Sequence, residues 1–294
     1  MHNEEWHARR RQHIGSSDMP KLCHVSPWGS DLEVYLSKVE NVQPSEPYEQ
    51  QQTGLDLEPL IADWFTRRTG LEIVDTQFFM VDPHRSWQAA TIDGITERNG
   101  IVEFKAVGSY SGRSLVDGDC DTLPEHWVVQ AHHQMDVCRV DHCWLAVFDG
   151  ASLATKVFDL PRNELLITAQ REIGERFWRD HVLARIPPVV SGPGDLEVVK
   201  QAFRRRDGRH LVLDDAELEL DAALLTSAKA ERLKWDKAAQ EYEAKLRLAV
   251  GDADSAELPG GWRLSRTERS RKAYTVAAST YIEVKVKGPK NESE

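Results

Sequence analysis

The chain has 294 residues, with 37 Lys and Arg against 48 Asp and Glu for a formal net charge of −11, and 40% of its residues are hydrophobic. At a prior of roughly 150 residues per domain this is one large domain, or one with an appendage, and the composition excludes disordered, collagen-like and membrane-spanning chains. The acidity lies in the first two thirds: residues 1–190 hold 18 Lys and Arg against 29 Asp and Glu, while residues 191–294 hold 19 of each. An acidic total argues at first against a nucleic-acid partner, because phosphate backbones are held by Lys and Arg. The start, MHNEEWHARRRQ, lacks the apolar core of a signal peptide, and Cys23, Cys120, Cys138 and Cys143 are too few and too irregularly spaced for a disulfide framework. The chain is therefore expected in the cytoplasm, with reduced thiols.

In chain order, Leu55, Leu57, Leu60, Ile61, Trp64 and Phe65 recur at helical spacing, and Arg67, Arg68 and Gly70 supply the cations and the stop of a helix C-terminus. Strand patterns follow over Glu72–Val81, Trp87–Asp93 and Ile101–Val107, the last two separated by turns around Asp93-Gly94 and Asn99-Gly100, which predicts a meander. A second helix is predicted between Pro124 and Val140. Two strands, His142–Asp149 and Thr155–Asp159, are joined at Gly150, and a helix over 163–184 ends at Pro187-Pro188. That pair and the SGPGD after it read as a linker near 188–195. The predicted domains are thus a core over residues 1–190 and an extension over 191–294. The extension holds a long helix at about 215–250 and a basic β segment at about 262–288. From Trp262 to Lys290 the segment carries eight Lys and Arg and two Glu, and it alternates well enough to be a pair of strands.

Chemistry-bearing residues recur in the core. Glu58 sits at the margin of the apolar face of its helix, beside Ile61 and Phe65 at about 100° per residue, and a carboxylate placed there tends to have a partner. Asp93 is read as ending its strand. In IVEFKAV the two-residue period puts Glu103 and Lys105 on one face and Val102, Phe104 and Ala106 on the other. Gln130 lies on the helix that follows. Two carboxylates and a backbone carbonyl, that of Phe104, are the hard oxygen ligands Mg²⁺ takes while keeping several waters. A neighbouring lysine can orient the attacking water, and Glu58 would complete the site or help hold a second ion. Taken alone, an acid and a lysine so spaced on a strand are more often an ordinary exposed ion pair than a functional one.

The run WHARRRQHIGSSDMPKLCHVSPWGSDLEVYLSK, then GLDLEPLIADWFTRRTG, TIDG, IVEFKA and WVVQAHHQMDV, resembles the lambda-exonuclease-like family of phage recombination nucleases, the YqaJ-type viral recombinases of the PD-(D/E)xK superfamily. The five blocks are in order and cover roughly residues 6–188. The resemblance implies an α/β fold, a restriction-endonuclease-like core with a central mixed sheet flanked by helices. It places the metal-binding aspartate at Asp93, the metal-binding glutamate at Glu103, the catalytic lysine at Lys105, the helical glutamate at Glu58 and the core glutamine at Gln130. It also places the grip on a DNA 5′-phosphate at Arg10 and Ser17, with Arg9 and Arg11 as register alternatives for the arginine, and Thr91 supplies a hydroxyl where a close relative has a serine. A guanidinium and a hydroxyl are suitable donors to such a phosphate.

The implied activity is a Mg²⁺-dependent exonuclease, with Mn²⁺ as a substitute ion, that digests one strand of linear duplex DNA from a 5′-phosphorylated end and leaves a 3′ single-stranded tail. The implied partners are double-stranded DNA ends, a single-strand annealing protein and further copies of the chain, a homotrimer being favoured, in the cytoplasm of a bacterial or phage-infected cell. A structure- or site-selective endonuclease of the same superfamily and a non-catalytic DNA-end-binding scaffold are the alternatives. Ser16, Ser17 and Asp18 could instead cap the helix beginning near Met19, Arg9–Arg11 could be solvated surface, and Trp28 could pack a loop rather than stack on a base. His132, His133, Cys138, His142 and Cys143 do not follow zinc spacings, and no clustered cysteine set is present, so neither zinc nor an iron–sulfur cluster is expected.

Overall fold

The structure, a computed structural model, describes residues 4–40, 49–108, 115–150, 152–270 and 284–286. Helices α1 (Glu4–Arg11), α2 (Met19–Leu22), α3 (Asp31–Val39) and α4 (Glu49–Thr69) precede strands β1 (Ile73–Val81), β2 (Ala89–Thr96) and β3 (Ile101–Val107). Helix α5 (Glu125–Cys138) leads to β4 (His142–Asp149), β5 (Ala154–Pro161) and α6 (Glu164–Phe177), which continues as a π-helical stretch, Trp178–Leu183. Helices α7 (Asp195–Ala202) and α8 (Ala216–Val250) and strands β6 (Ser255–Leu258) and β7 (Trp262–Ser265) follow.

Strands β1 to β5 form one mixed sheet in sequence order, antiparallel except between β3 and β4. A parallel neighbour needs a crossover, and α5 makes it. The period of β3 sorts its residues between two cores. Ile101 and Val107 join Leu145, Val147, Ala131 and Met135 on the α5 side, while Val102 and Phe104 join Ile61, Phe65 and Ala146 on the α4 side. Fully buried Phe65 and Phe158 each contribute about 1.5–3 kcal/mol through area removed from water. A third cluster, with Ile14, Met19, Leu32, Trp87 and Phe177, gathers the N-terminal helices around α6. The mixed sheet with helices on both faces has the α/β architecture that the resemblance implies.

Several elements differ from expectation. Strand β2 does not stop at Asp93 but runs to Thr96, and Gly94 lies inside it, paired with Thr76 and Val102. A Cβ on Gly94 would stand 3.1 Å from Ile73 Cγ2 and 3.7 Å from the Phe104 ring, so glycine there permits close packing and marks no turn. The turn lies at Asn99-Gly100, where Thr96 and Gly100 close it by hydrogen bonds.

The compact first unit extends beyond the expected linker at 188–195, to Phe203, the second unit being Arg204–Glu294. Asp195 binds the turn down: it accepts from the Ser191 N–H at 2.8 Å and from the hydroxyl of Ser30, which caps α3, and α7 then packs Val198, Val199 and Ala202 on the third cluster. In the second unit, α8 matches the expected long helix; its N-cap Asp215 accepts from the N–H groups of Glu217 and Leu218. The first strand expected in the basic segment is present as β7, but it pairs upstream with β6 around Pro259-Gly260-Gly261. Most of the remaining basic segment, residues 271–283 and 287–288, lies outside the described residues.

Candidate active site

Strands β2 and β3 are laddered only at Gly94↔Val102 and Ile95↔Ile101. Beyond Val102 they part, and a side chain replaces the missing ladder bond: the Phe104 N–H donates to Asp93 Oδ2 at 2.9 Å. In an extended strand a residue's N–H and C=O leave on the same edge, so the Phe104 carbonyl faces the same opening. Asp93, from mid-β2, and Glu103, from β3, therefore flank one gap in the sheet.

Glu103 is buried, and both of its oxygens accept hydrogen bonds. Its Oε1 accepts from Lys105 Nζ at 2.7 Å and from Gln130 Nε2 at 2.6 Å, and its Oε2 accepts from Gln134 Nε2 at 2.5 Å. Gln130 and Gln134 are four residues apart and share one face of α5. Lys105 also donates to Gln130 Oε1 at 3.0 Å, and its Nζ lies 5.9 Å from the Trp127 ring. Burial alone would depress the Lys105 ammonium; Glu103, helped by Asp93, outweighs it and holds the amine above its ordinary value. Burial, reinforced by the neighbouring Glu103 charge, pushes Asp93 well above the usual carboxylate range despite the Phe104 bond. Half-buried Glu58, from α4, is also raised, first by burial and then by Glu103, and it accepts from Gln77 Nε2 at 2.9 Å.

The N-terminal segment reaches this gap because Ile14 is stitched beside the start of β2. Its N–H donates to the Trp87 carbonyl at 2.6 Å, and its carbonyl accepts from Ala89 at 3.0 Å. Arg10, in the last turn of α1, lies with its guanidinium 4.7 Å from the Trp6 ring and donates from Nη2 to Ser17 Oγ at 2.8 Å. One open cleft of about 160 Å³ is lined by Arg10, Ser17 and Thr91 together with Glu58, Asp93, Glu103 and Gln130. Lys105 and Phe104 stand directly behind that lining. The alternative arginine Arg9 stacks on Phe79 at 4.7 Å.

The expected caps resolve differently. Asp18 occupies the N-cap position of α2 without a side-chain cap bond; its carboxylate turns inward to the Gly15 N–H and Lys38. Trp28 is 68% exposed and packs edge-on against His126, with ring centroids 5.2 Å apart. His132 and His133 are buried on α5 and bonded to the carbonyls of Val128 and Ala89, while His142 pairs with Asp159. Gln77 and Gln134 were not anticipated from the sequence. Gln134 had a signal, its i+4 spacing from Gln130; Gln77 had none, because it meets Glu58 only through the fold.

Among the described residues no three His, Cys, Asp or Glu side chains form a ready-made metal cage. The oxygen donors at the gap are two carboxylates and a carbonyl, the kind of partial set that leaves other positions to water. Two carboxylates pressed together out of water, one with its ionised form disfavoured, fit a divalent cation between them.

Residues 5–141 match the family described as YqaJ-like viral recombinase domain. Over 260 residues the chain is 26% identical to the uncharacterized protein YqaJ of Bacillus subtilis strain 168, covering 87% of this chain and 77% of that one. Among solved structures, the alkaline exonuclease LHK-Exo of Laribacter hongkongensis has a TM-score of 0.53 at 18% identity, covering 63% of this chain and 94% of that one. The same enzyme in complex with dAMP has a TM-score of 0.54, again at 18% identity. At that identity the likeness is one of fold.

Proposed function

We propose, from the match of residues 5–141 to the YqaJ-like viral recombinase domain, that this chain is a member of that family and a metal-dependent recombination nuclease that digests one strand of linear duplex DNA from a 5′-phosphorylated end. The product is a 3′ single-stranded tail, passed to a single-strand annealing protein. The observation that carries this reading is the single cleft in which Arg10 and Ser17 meet Asp93 and Glu103. A phosphate ligand and a hydrolytic site so joined suit a substrate held by its end. The similarity to an alkaline exonuclease fold supports the same reaction class.

Asp93, Glu103 and the Phe104 carbonyl would hold Mg²⁺, or Mn²⁺ in its place, with Glu58 completing the site or helping to hold a second ion. Once bound, the ion neutralises charge on the scissile phosphate and makes a bound water more acidic. Lys105 keeps its proton at Nζ and directs it toward the gap, where it orients a water for in-line attack. Gln130 and Gln134 hold the Glu103 carboxylate in one rotation by donating to both of its oxygens. Arg10 and Ser17 donate to the end phosphate, with the Thr91 hydroxyl beside them, so that the scissile bond is placed by binding. A homotrimer enclosing the duplex is the assembly that goes with processive digestion. Among the described residues no helix is long and apolar enough to cross a membrane.

End-resolved digestion of linear duplexes, with and without a 5′-phosphate and with Mg²⁺, tests the reading, with closed circular DNA as the control. The expected result is mononucleotide release from the phosphorylated 5′ end only. Cutting of the closed circle would make the chain an endonuclease, and the absence of hydrolysis with any divalent ion would make it an end-binding scaffold. Lys105→Ala should lower release by about 100-fold or more while DNA binding by fluorescence anisotropy remains measurable.

A further inference from the structure

Next to Arg10 and Ser17 lies a buried ion pair. Asp18 Oδ2 accepts from Lys38 Nζ at 2.6 Å and from the Gly15 N–H at 2.9 Å. The Lys38 side chain is only 4% exposed; it comes from the last turn of α3 and also donates to the Arg10 carbonyl at 3.3 Å. Gly15 stands between the two charges that matter. A Cβ there would lie 3.5 Å from Arg10 Nη2 and 3.5 Å from Asp18 Oδ2, so both groups border the space that the glycine leaves without a side chain.

Arg10 nevertheless points its Nη2 at Ser17, toward the cleft. Lys38 explains why: one buried anion has two cations at hand, and the more deeply buried cation holds it. The other neighbouring cation, Lys21, is paired with Glu33 at 3.1 Å. Burial pushes Asp18 up, but Lys38 and then Arg10 and Lys21 outweigh it and hold the carboxyl below the usual range, so the anion stays ionised and in need of a partner. Without Lys38, the nearest remaining partner is Arg10 itself.

We propose that Lys38 is a specificity-determining positioning residue: by holding Asp18, it leaves the Arg10 guanidinium free to take the terminal phosphate of a DNA 5′ end. The proposal rests on reading Arg10 and Ser17 as the ligands of that phosphate. A pair that merely staples α2 to α3 would affect folding and would leave the choice of end alone.

The test is the ratio of initial rates on otherwise identical linear duplexes ending in a 5′-phosphate or a 5′-hydroxyl, with Mg²⁺. It is measured for the full-length wild type, Arg10→Ala, Lys38→Met, Asp18→Asn and Asp18→Asn/Lys38→Met, each checked for folding by circular dichroism. A charge-assisted grip predicts a wild-type ratio of about tenfold or more. Arg10→Ala and Lys38→Met should both bring it toward one. The double variant has no carboxylate left to capture Arg10 and should restore the ratio to within about threefold of wild type. Should Lys38→Met fail to fold, Asp18→Asn decides: it should keep or raise the ratio, and its loss there would overturn the proposal. A wild-type ratio in folded Lys38→Met, or loss in the double variant as in the single, would overturn it as well. If Arg10→Ala removes the preference and Lys38→Met does not, only the role of Lys38 falls; if the wild type shows no preference, the reading of the phosphate site falls with it.

Discussion

Asp93 is a residue whose charge the fold resists. Burial and the Glu103 carboxylate raise its folded-state value above that of an unfolded aspartate. A carboxyl raised in this way stabilises the fold fully below the ordinary value of about 4, and that contribution is lost as pH rises through the raised value. At neutral pH the metal-free protein is therefore less stable for having Asp93. Asp93→Asn, which retains an oxygen for the Phe104 N–H, should raise the melting temperature at pH 7 by a few degrees, about 1 kcal/mol in a unit of this size, while abolishing hydrolysis. Added Mg²⁺ should raise the melting temperature of the wild type and not that of the variant. Thermal scans with and without Mg²⁺ check both, and an unchanged or lower midpoint for metal-free Asp93→Asn would contradict the electrostatic account. Asp93, Glu103 and Lys105 were visible in the sequence because a two-residue period and fixed spacing are local properties. Of the amides around the site only Gln130 was read: Gln134 left no more than its i+4 spacing from Gln130, and Gln77 meets Glu58 across a gap of 19 residues that no local pattern spans.

Strand β1 carries a distortion where it passes the site. Gln77 has φ 54°, in the left-handed region, and falls between the paired positions Thr76↔Gly94 and Phe78↔Ile92, opposite Asp93. For a residue other than glycine that conformation costs about 1–2 kcal/mol. In exchange, the Gln77 amide is aimed at Glu58. Gln77→Gly separates strain from contact: denaturant titration should show a variant about 1 kcal/mol more stable, and nucleotide release should fall several-fold as Glu58 loses its donor. A more stable variant with full activity would show that the Gln77 contact is dispensable. The meander was legible from strand alternation, and α8 from a run rich in Ala, Leu, Glu and Lys that favours helix without a buried face. The continuation of β2 past Asp93 was not, because Asp93-Gly94 carries a turn signature that only the packing of Ile73 and Phe104 around Gly94 overrides.

Taken whole, the chain has its compact first unit ending at Phe203, where composition had suggested 190. A fragment ending at Phe203 should melt cooperatively near the temperature of the first unit in the full chain. One ending at Val190 strips Val198, Val199 and Ala202 from the third cluster and frees the Ser30 hydroxyl from Asp195, and should melt several degrees lower. Equal midpoints would place the boundary at the Pro-Pro pair. The proline and glycine residues of 187–194 mark a break in local regularity, and local regularity says nothing about whether the chain beyond it returns to the same core.

What the sequence determined by itself is the order of the reactive residues and those elements with a clear local pattern, α4, α5, α6, α8 and the strands of the main sheet, because hydrophobic period and spacing depend on near neighbours; α1, α3, α7 and β6 were not read from it. The tertiary structure decided which of those residues share a cleft. The parting of β2 from β3, the stitching of Ile14 beside β2 and the burial of Lys38 against Asp18 all join distant segments. The net charge of −11 acquires its meaning only there: Asp93, Glu103 and Glu58 gather at one gap, and Arg10 turns to Ser17 at its rim while Lys38 answers Asp18.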